Sequence, residues 1–304
     1  MNHKVTYNIN FDKVNNLAYN LSNIDKKLTF EFNTNIFCFP SGISMLSSLI
    51  NYKKEFIDIS FSNKKNIRYL LRSNFFKNLD FCVEEDFTRH DVSLNMLECT
   101  IIKEDEDPFK IDNKLKKILN KHILDKENLK LGILLTTYEI TDNILEHCTG
   151  GAFQQGNRKV SQPGFISAQY YEKYNHIEIG ISDMGEGIVN TLEKAYPSLS
   201  RKEILENAFK LNTTRHIELM PTRGNGLAKL KEFVLISKGS IRCRTNEFTI
   251  VFNSDYQNGF IEEVSPIKGT HFEIIIGCDK DIDTRPIFNA HHEDYDDEID
   301  DFLI

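Results

Sequence analysis

Glu139, Asn143 and His147 stand four residues apart in a stretch, 131–147, whose apolar residues recur at helical spacing. Steps of four place the three side chains along one face of a single helix. An acid, a neutral amide and an imidazole in a row can hold a metal-bound polyphosphate. The amide oxygen of Asn143 suits Mg²⁺, a hard cation that keeps several waters and takes few protein ligands. The carboxylate of Glu139, one turn away, can orient or deprotonate an attacking hydroxyl or water. Polar residues at this spacing also line ordinary solvated helix faces, so the pattern acquires meaning only from the residues downstream of it.

Three glycine-bearing elements come next along the chain. Residues 177–183 alternate apolar and polar side chains like a half-buried strand that ends on Asp183, with Gly185 and Gly187 just beyond. An ionised aspartate only accepts hydrogen bonds, which suits the exocyclic amino group of adenine, and the glycines permit close backbone approach. Next, Arg223, Gly224, Gly226 and Leu227 open an amphipathic helix over 227–234. Glycines at a helix start expose N–H groups to phosphate, and the helix dipole favours the negative charge there. Finally, Gly269 and Thr270 introduce a strand over 271–276 and put a hydroxyl at its beginning.

With four such motifs in this order, the chain resembles the GHKL, or Bergerat-fold, ATPases. These include type II topoisomerase ATPase subunits, heat-shock chaperones, mismatch-repair ATPases, histidine kinases and anti-sigma-factor serine kinases. Glu139, Asn143 and His147 match the N-box; Asp183, Gly185 and Gly187 the G1 box; Arg223, Gly224, Gly226 and Leu227 the G2 box; Gly269 and Thr270 the late Thr motif. The resemblance covers roughly residues 110–277. It implies an α/β fold, specifically the α+β two-layer sandwich of the Bergerat ATP-binding domain, with ATP and Mg²⁺ as cofactors. It also implies Asn143 as the Mg²⁺ ligand, Asp183 on the adenine amino group, Gly187 beside the base and Thr270 supporting Asp183 through water. Glu139 is then the candidate general base, and residues 188–223 a lid over the phosphates, to which Arg215 and Arg223 offer guanidinium groups. His147 after the Asn is closer to the kinase side of the family.

The reaction expected first is ATP hydrolysis that opens and closes a partner-binding surface. Alternatives are a serine/threonine kinase resembling the anti-sigma-factor kinases, acting on a STAS-type substrate, and a nucleotide-binding module without hydrolysis. A sensor histidine kinase fits least, because the one His-Asp step before this region, His90–Asp91, lacks the apolar period of a dimerisation helix.

The rest of the chain supplies the frame. The 304 residues are 40% hydrophobic with 22 Phe, enough to bury two cores. There is no apolar run of about 18 residues and no apolar N-terminal leader, and the six scattered cysteines contain no Cys-x-x-Cys pair. A cytoplasmic protein without membrane association is therefore expected. The formal charge of −8 resides in residues 279–304, and the 278 residues before them carry equal numbers of acids and bases. No basic patch argues for direct nucleic-acid binding. That acidic tail is expected to be disordered, and its apolar end at 302–304 is suited to docking on a protein partner. A homodimer is compatible with the family resemblance.

Residues 1–105 read as a smaller α/β domain with strands at 28–32, 35–39 and 56–61 and helices at 40–50 and 66–72. It resembles, less specifically, the STAS-like domains that precede some GHKL modules. On that resemblance Ser41 and Ser44 occupy the position of a phosphorylated serine, although an ordinary helix N-cap also accounts for Ser41. Residues 103–108 are expected to be a linker into an ATP-binding domain at 106–278, which begins with a helix at 109–123 and holds another at 201–209.

Overall fold

The computed structural model describes residues 2–148, 159–210 and 225–288. In chain order its elements are β1 (Asn2–Val5), α1 (Phe11–Ser22), β2 (Leu28–Phe32), α2 (Pro40–Tyr52), β3 (Ile57–Phe61), α3 (Arg68–Arg72) and α4 (Phe75–Asn78). There follow β4 (Met96–Glu104), α5 (Asp107–His122), α6 (Glu127–Cys148), β5 (Lys159–Tyr171), β6 (His176–Ser182), α7 (Ile188–Glu193) and α8 (Arg201–Ala208). The last are α9 (Gly226–Ile236), β7 (Ser240–Thr245), β8 (Phe248–Phe252), β9 (Phe260–Glu263), β10 (Thr270–Gly277) and α10 (Arg285–Phe288). The fold is mixed α/β, with a three-stranded sheet, β1-β2-β3, and a seven-stranded sheet, β4-β5-β6-β10-β7-β8-β9. The smaller sheet is parallel and every pairing in the larger one is antiparallel.

Strand β6 explains the layering. Ile177, Ile179 and Ile181 enter a core with Ile140, Ile144 and Leu145 of α6, Ile111 and Leu115 of α5, and Phe233 of α9. The alternate residues do not meet solvent. Glu178 is hydrogen-bonded to Ser41 of α2, and Ser44 of α2 donates to the Gly180 carbonyl. Residues 177–182 are consequently all buried, which corrects the half-buried strand expected from their alternation. Helix α2 forms a third layer on the face a two-layer sandwich would leave open. Residues 40–50 are buried on every side, because Gly42 abuts the Ile9 carbonyl while Pro40 and Ser41 abut Gly180. A second core, built on Phe11, Phe30, Phe32, Leu46, Leu49 and Phe75, reaches the larger sheet through Cys99, Phe165 and Met184.

Three local expectations change with this layering. Residues 103–108 are no linker: they are the end of β4, a short turn and the start of α5, with Asp107 accepting from the Lys103 and Glu104 amides. Strand β4 lies on the N-terminal side of the boundary expected at 105, yet it is paired with β5. Residues 35–39 form no strand, only an isolated bridge between Ile9 and Cys38. Ser41 is not an N-cap either, since Phe39 occupies that position without a side-chain hydrogen bond and Pro40 starts the helix. Among the described residues no helix is long and apolar enough to cross a membrane. Of the tail expected to be disordered at 279–304, residues 279–288 instead pack on the larger unit, with Ile282, Ile287 and Phe288 buried in its core and Asp281 accepting from the Leu129 N–H at 2.9 Å; residues from 289 onward lie outside the described residues.

A Cβ at Gly180 would stand 2.3 Å from the Ser41 Cα, backbone against backbone, so only displacement of α2 can relieve it. Gly180→Ala should therefore lower unfolding free energy by about 1–3 kcal/mol, the range for overpacking a core. Denaturant titration reads this directly, and an unchanged midpoint would contradict the close packing of α2 on β6.

Candidate functional site

Asp183 is the first residue after β6, where pairing with β10 ends and the chain turns away. Its N–H donates to the Thr270 carbonyl at 3.0 Å, and two residues on, the Gly269 N–H donates to the Gly185 carbonyl at 2.8 Å. The Gly185 N–H donates in turn to Asp183 Oδ1 at 2.7 Å. Gly269 has φ +83°, and a Cβ there would lie 2.0 Å from the Asp183 carbonyl oxygen, so glycine is required on both counts. Asp183–Gly185 and Gly269–Thr270 are thus joined by backbone hydrogen bonds.

A second pair of residues holds the outer half of this turn. Thr245, at the end of β7, accepts from the Ile188 N–H at 2.9 Å and donates to the Gly269 carbonyl at 3.1 Å, and its hydroxyl lies 3.4 Å from that of Thr270. Asn246 accepts from the Val189 N–H at 3.0 Å through Oδ1 and donates from Nδ2 to the Glu186 carbonyl at 2.8 Å. Gly187, with φ +83°, lies so close that a Cβ would be 2.5 Å from Asn246 Oδ1. Sequence reasoning missed both residues. Their signal was present in the two alternating runs of β7 and β8 around a turn, with Asn246 in the left-handed conformation such turns favour.

Helix α6, which carries Glu139 and Asn143, reaches the same end of the sheet. α6 spans the residues expected to be helical, with Glu139 exposed and Asn143 half-buried. Between them and the sheet, Ile144 packs on Gly164 of β5. A Cβ at Gly164 would lie 2.8 Å from Ile144 Cγ2 and 3.4 Å from the Ser182 carbonyl, the residue before Asp183. Glu139 points at the start of α9: its Oε2 lies 2.8 Å from where a Gly226 Cβ would be. Gly226 opens α9, as expected, behind a buried Asn225, and Leu227 packs partly buried against the larger core. The His147 side chain and residues 211–224, with Arg215, Arg223 and Gly224, lie outside the described residues.

The described part of the expected lid is well anchored. Ser200 and Glu203 form a capping box at the start of α8, and Ile204, Leu205, Ala208 and Phe209 are buried in the larger core. Arg201 ties the helix to Glu247 (Nη2 to Oε2, 2.8 Å) and to Glu193 at 2.7 Å.

Asp183 is the electrostatically distinctive group here. Burial pushes its carboxyl up to about 6, opposed by hydrogen bonds from the Gly185 and Thr270 backbone. A buried carboxylate that is costly to ionise alone is a ready acceptor for an amino group brought by a ligand. Among the described residues no group of three or more His, Cys, Asp or Glu could hold a metal ion. Asn143 offers a single amide oxygen, which is the kind of sparse protein ligation Mg²⁺ accepts when phosphates supply the rest.

If the chain binds an adenine nucleotide as the resemblance implies, its affinity should follow the ionisation of Asp183. Because the amino donor favours the carboxylate, the affinity is expected to be flat above neutrality and to fall by up to tenfold per pH unit below about 6. Asp183→Asn should weaken binding at neutral pH by about 1.5–3 kcal/mol, the worth of a charged hydrogen bond. Calorimetric titration across pH measures both, and a pH-independent affinity would remove Asp183 from the site. Neither protein-family models nor curated proteins match this sequence.

Proposed function

We propose that the chain binds Mg-ATP in the manner of the GHKL proteins it resembles, and hydrolyses it to switch a surface that a protein partner reads. The observation that carries this reading is the hydrogen-bonded clamp between Asp183–Gly185 and Gly269–Thr270. Two motifs distant in the chain meet there at one end of two central strands, and Glu139 lies against Gly226 from a third direction.

Each residue has a role consistent with its position. Asp183 accepts from the adenine amino group, and Gly187, kept without a Cβ by Asn246, packs its backbone beside the base. The N-terminus of α9 offers its first N–H groups and dipole to the phosphates. Asn143 contributes its amide oxygen to Mg²⁺, which when bound neutralises phosphate charge. Glu139, exposed on the neighbouring turn of α6, orients and deprotonates the attacking water. Transfer to the chain's own Ser41 or Ser44 is disfavoured, because both hydroxyls are 0% exposed and already hydrogen-bonded beneath the sheet.

Incubation with γ-labelled ATP and Mg²⁺ should release free phosphate without labelling the protein. Glu139→Ala should slow release by about 10²–10⁴-fold, the usual contribution of a general base, while nucleotide binding persists. Label appearing on the protein would favour phosphotransfer, and absence of any heat of binding by the folded chain would refute the nucleotide site.

A further inference from the structure

Away from the nucleotide site, the contact between α2 and the larger sheet contains a buried group of acids whose protons can be counted. Ser41 Oγ lies 2.7 Å from Glu178 Oε1 and 2.9 Å from Glu273 Oε1. Both glutamates and the serine are buried, at 4%, 5% and 0% exposure. A hydroxyl carries one hydrogen and can donate to one carboxylate only. The second contact is a hydrogen bond only if a carboxyl group supplies the proton. If both acids were ionised, one pair of oxygens would face each other with no hydrogen between them, in a site water does not reach.

The neighbours decide which acid holds the proton. The other oxygen of Glu273 accepts from Arg242 Nε, and Arg242 is also paired with Asp12 of α1. Glu273 is therefore the ionised member. Glu178 faces Ser41 and its backbone N–H from α2; Arg242 of β7, Tyr171 of β5 and Tyr69 of α3 lie around it, and the Cys38 thiol lies near the two phenols. Burial raises the thiol and both phenols, so all three are neutral. Burial first, and then the Glu273 charge, push the Glu178 carboxyl up to about 7.

We propose that Glu178, Ser41 and Glu273 share one carboxyl proton, passed as Glu178 O–H to Ser41 and Ser41 O–H to Glu273, and that this proton latches α2 onto the larger sheet. Docking of the N-terminal layer is then proton-linked. Released from the sheet, Glu178 would titrate near the ordinary glutamate value of about 4.3. Between that value and about 7 the docked form holds a proton that the undocked form has lost, so docking weakens as pH rises through this window and is constant above it. This inference does not depend on the ATP reading. It does add a regulatory input, because β6 and β10, which carry Glu178 and Glu273, also carry Ser182 and Thr270 at the site end.

Glu178→Gln tests the latch, since an amide donates to Ser41 at every pH. The measurement is hydrogen exchange of the α2 amides, corrected for intrinsic exchange, in the full chain from pH 5 to 9. The ratio of wild-type to variant protection should fall by up to tenfold per pH unit between about 5 and 7, and then level off. Asp183 and Asp112 are pushed up by burial in both proteins and cancel in that ratio. A ratio independent of pH would overturn the proposal. Should the variant not fold, infrared spectroscopy of the wild type decides: ¹³C-glutamate labelling should shift a protonated-carboxyl band present at pH 6 and lost by pH 9. Finding no such band at pH 6 would overturn the proposal equally.

Discussion

A central strand buried on both faces does best to set a polar side chain against another polar group, and β6 does so at Glu178 but not at Ser182, whose buried hydroxyl has no hydrogen-bond partner. One set of alternate residues, Ile177, Ile179 and Ile181, fills the core shared with α5, α6 and α9. The other set, Glu178, Gly180 and Ser182, faces a helix whose own composition is tuned to it. Serines on α2 answer the acid and the carbonyl, and Gly180 lets the two backbones touch. An exposed acid at position 178 would be ordinary; a buried one needs the partners that α2 and β10 bring.

The same economy governs the turn after β6. Few side chains hold Asp183 in place. Its position follows from main-chain hydrogen bonds to Thr270 and Gly185 and from the absence of a Cβ at Gly269. Thr245 and Asn246 add side-chain bonds on the far side, reaching the first N–H groups of α7. Several short contacts from three strands make a rigid frame for one carboxylate, which is how a site is held accurately by a scaffold. Glu139 and Asn143 are delivered differently, on a long helix whose placement is decided by apolar packing of Ile140 and Ile144.

How much of this was legible in the sequence depended on how locally it was encoded. The α6 helix, the strand ending at Asp183, the glycine-led start of α9 and the strand after Thr270 all follow from periodicity and turn residues, and the structure contains them. The helices expected at 40–50 and 109–123 were nearly as readable from apolar spacing, and the structure has them at Pro40–Tyr52 and Asp107–His122. What failed was long-range. Nothing near Glu178 announces that a serine 137 residues earlier will meet it, so its alternation looked solvent-facing. Nothing near residue 105 reveals that β4 pairs with β5. The run at 35–39 is apolar enough for a strand, yet it has only one bridge partner. The Thr245–Asn246 clamp was missed because those residue types are ordinary at a hairpin turn; only the third strand beside them gives them a role.

The burial of α2 between two sheets also bears on how the molecule can be taken apart. A fragment cut at residue 105 would leave behind an edge strand and uncover a sheet face carrying two acids and the tight groove at Gly180. Such a piece would present raw, half-polar surface to other chains and tend to associate with them. The N-terminal layer is thus an integral wall of the larger unit.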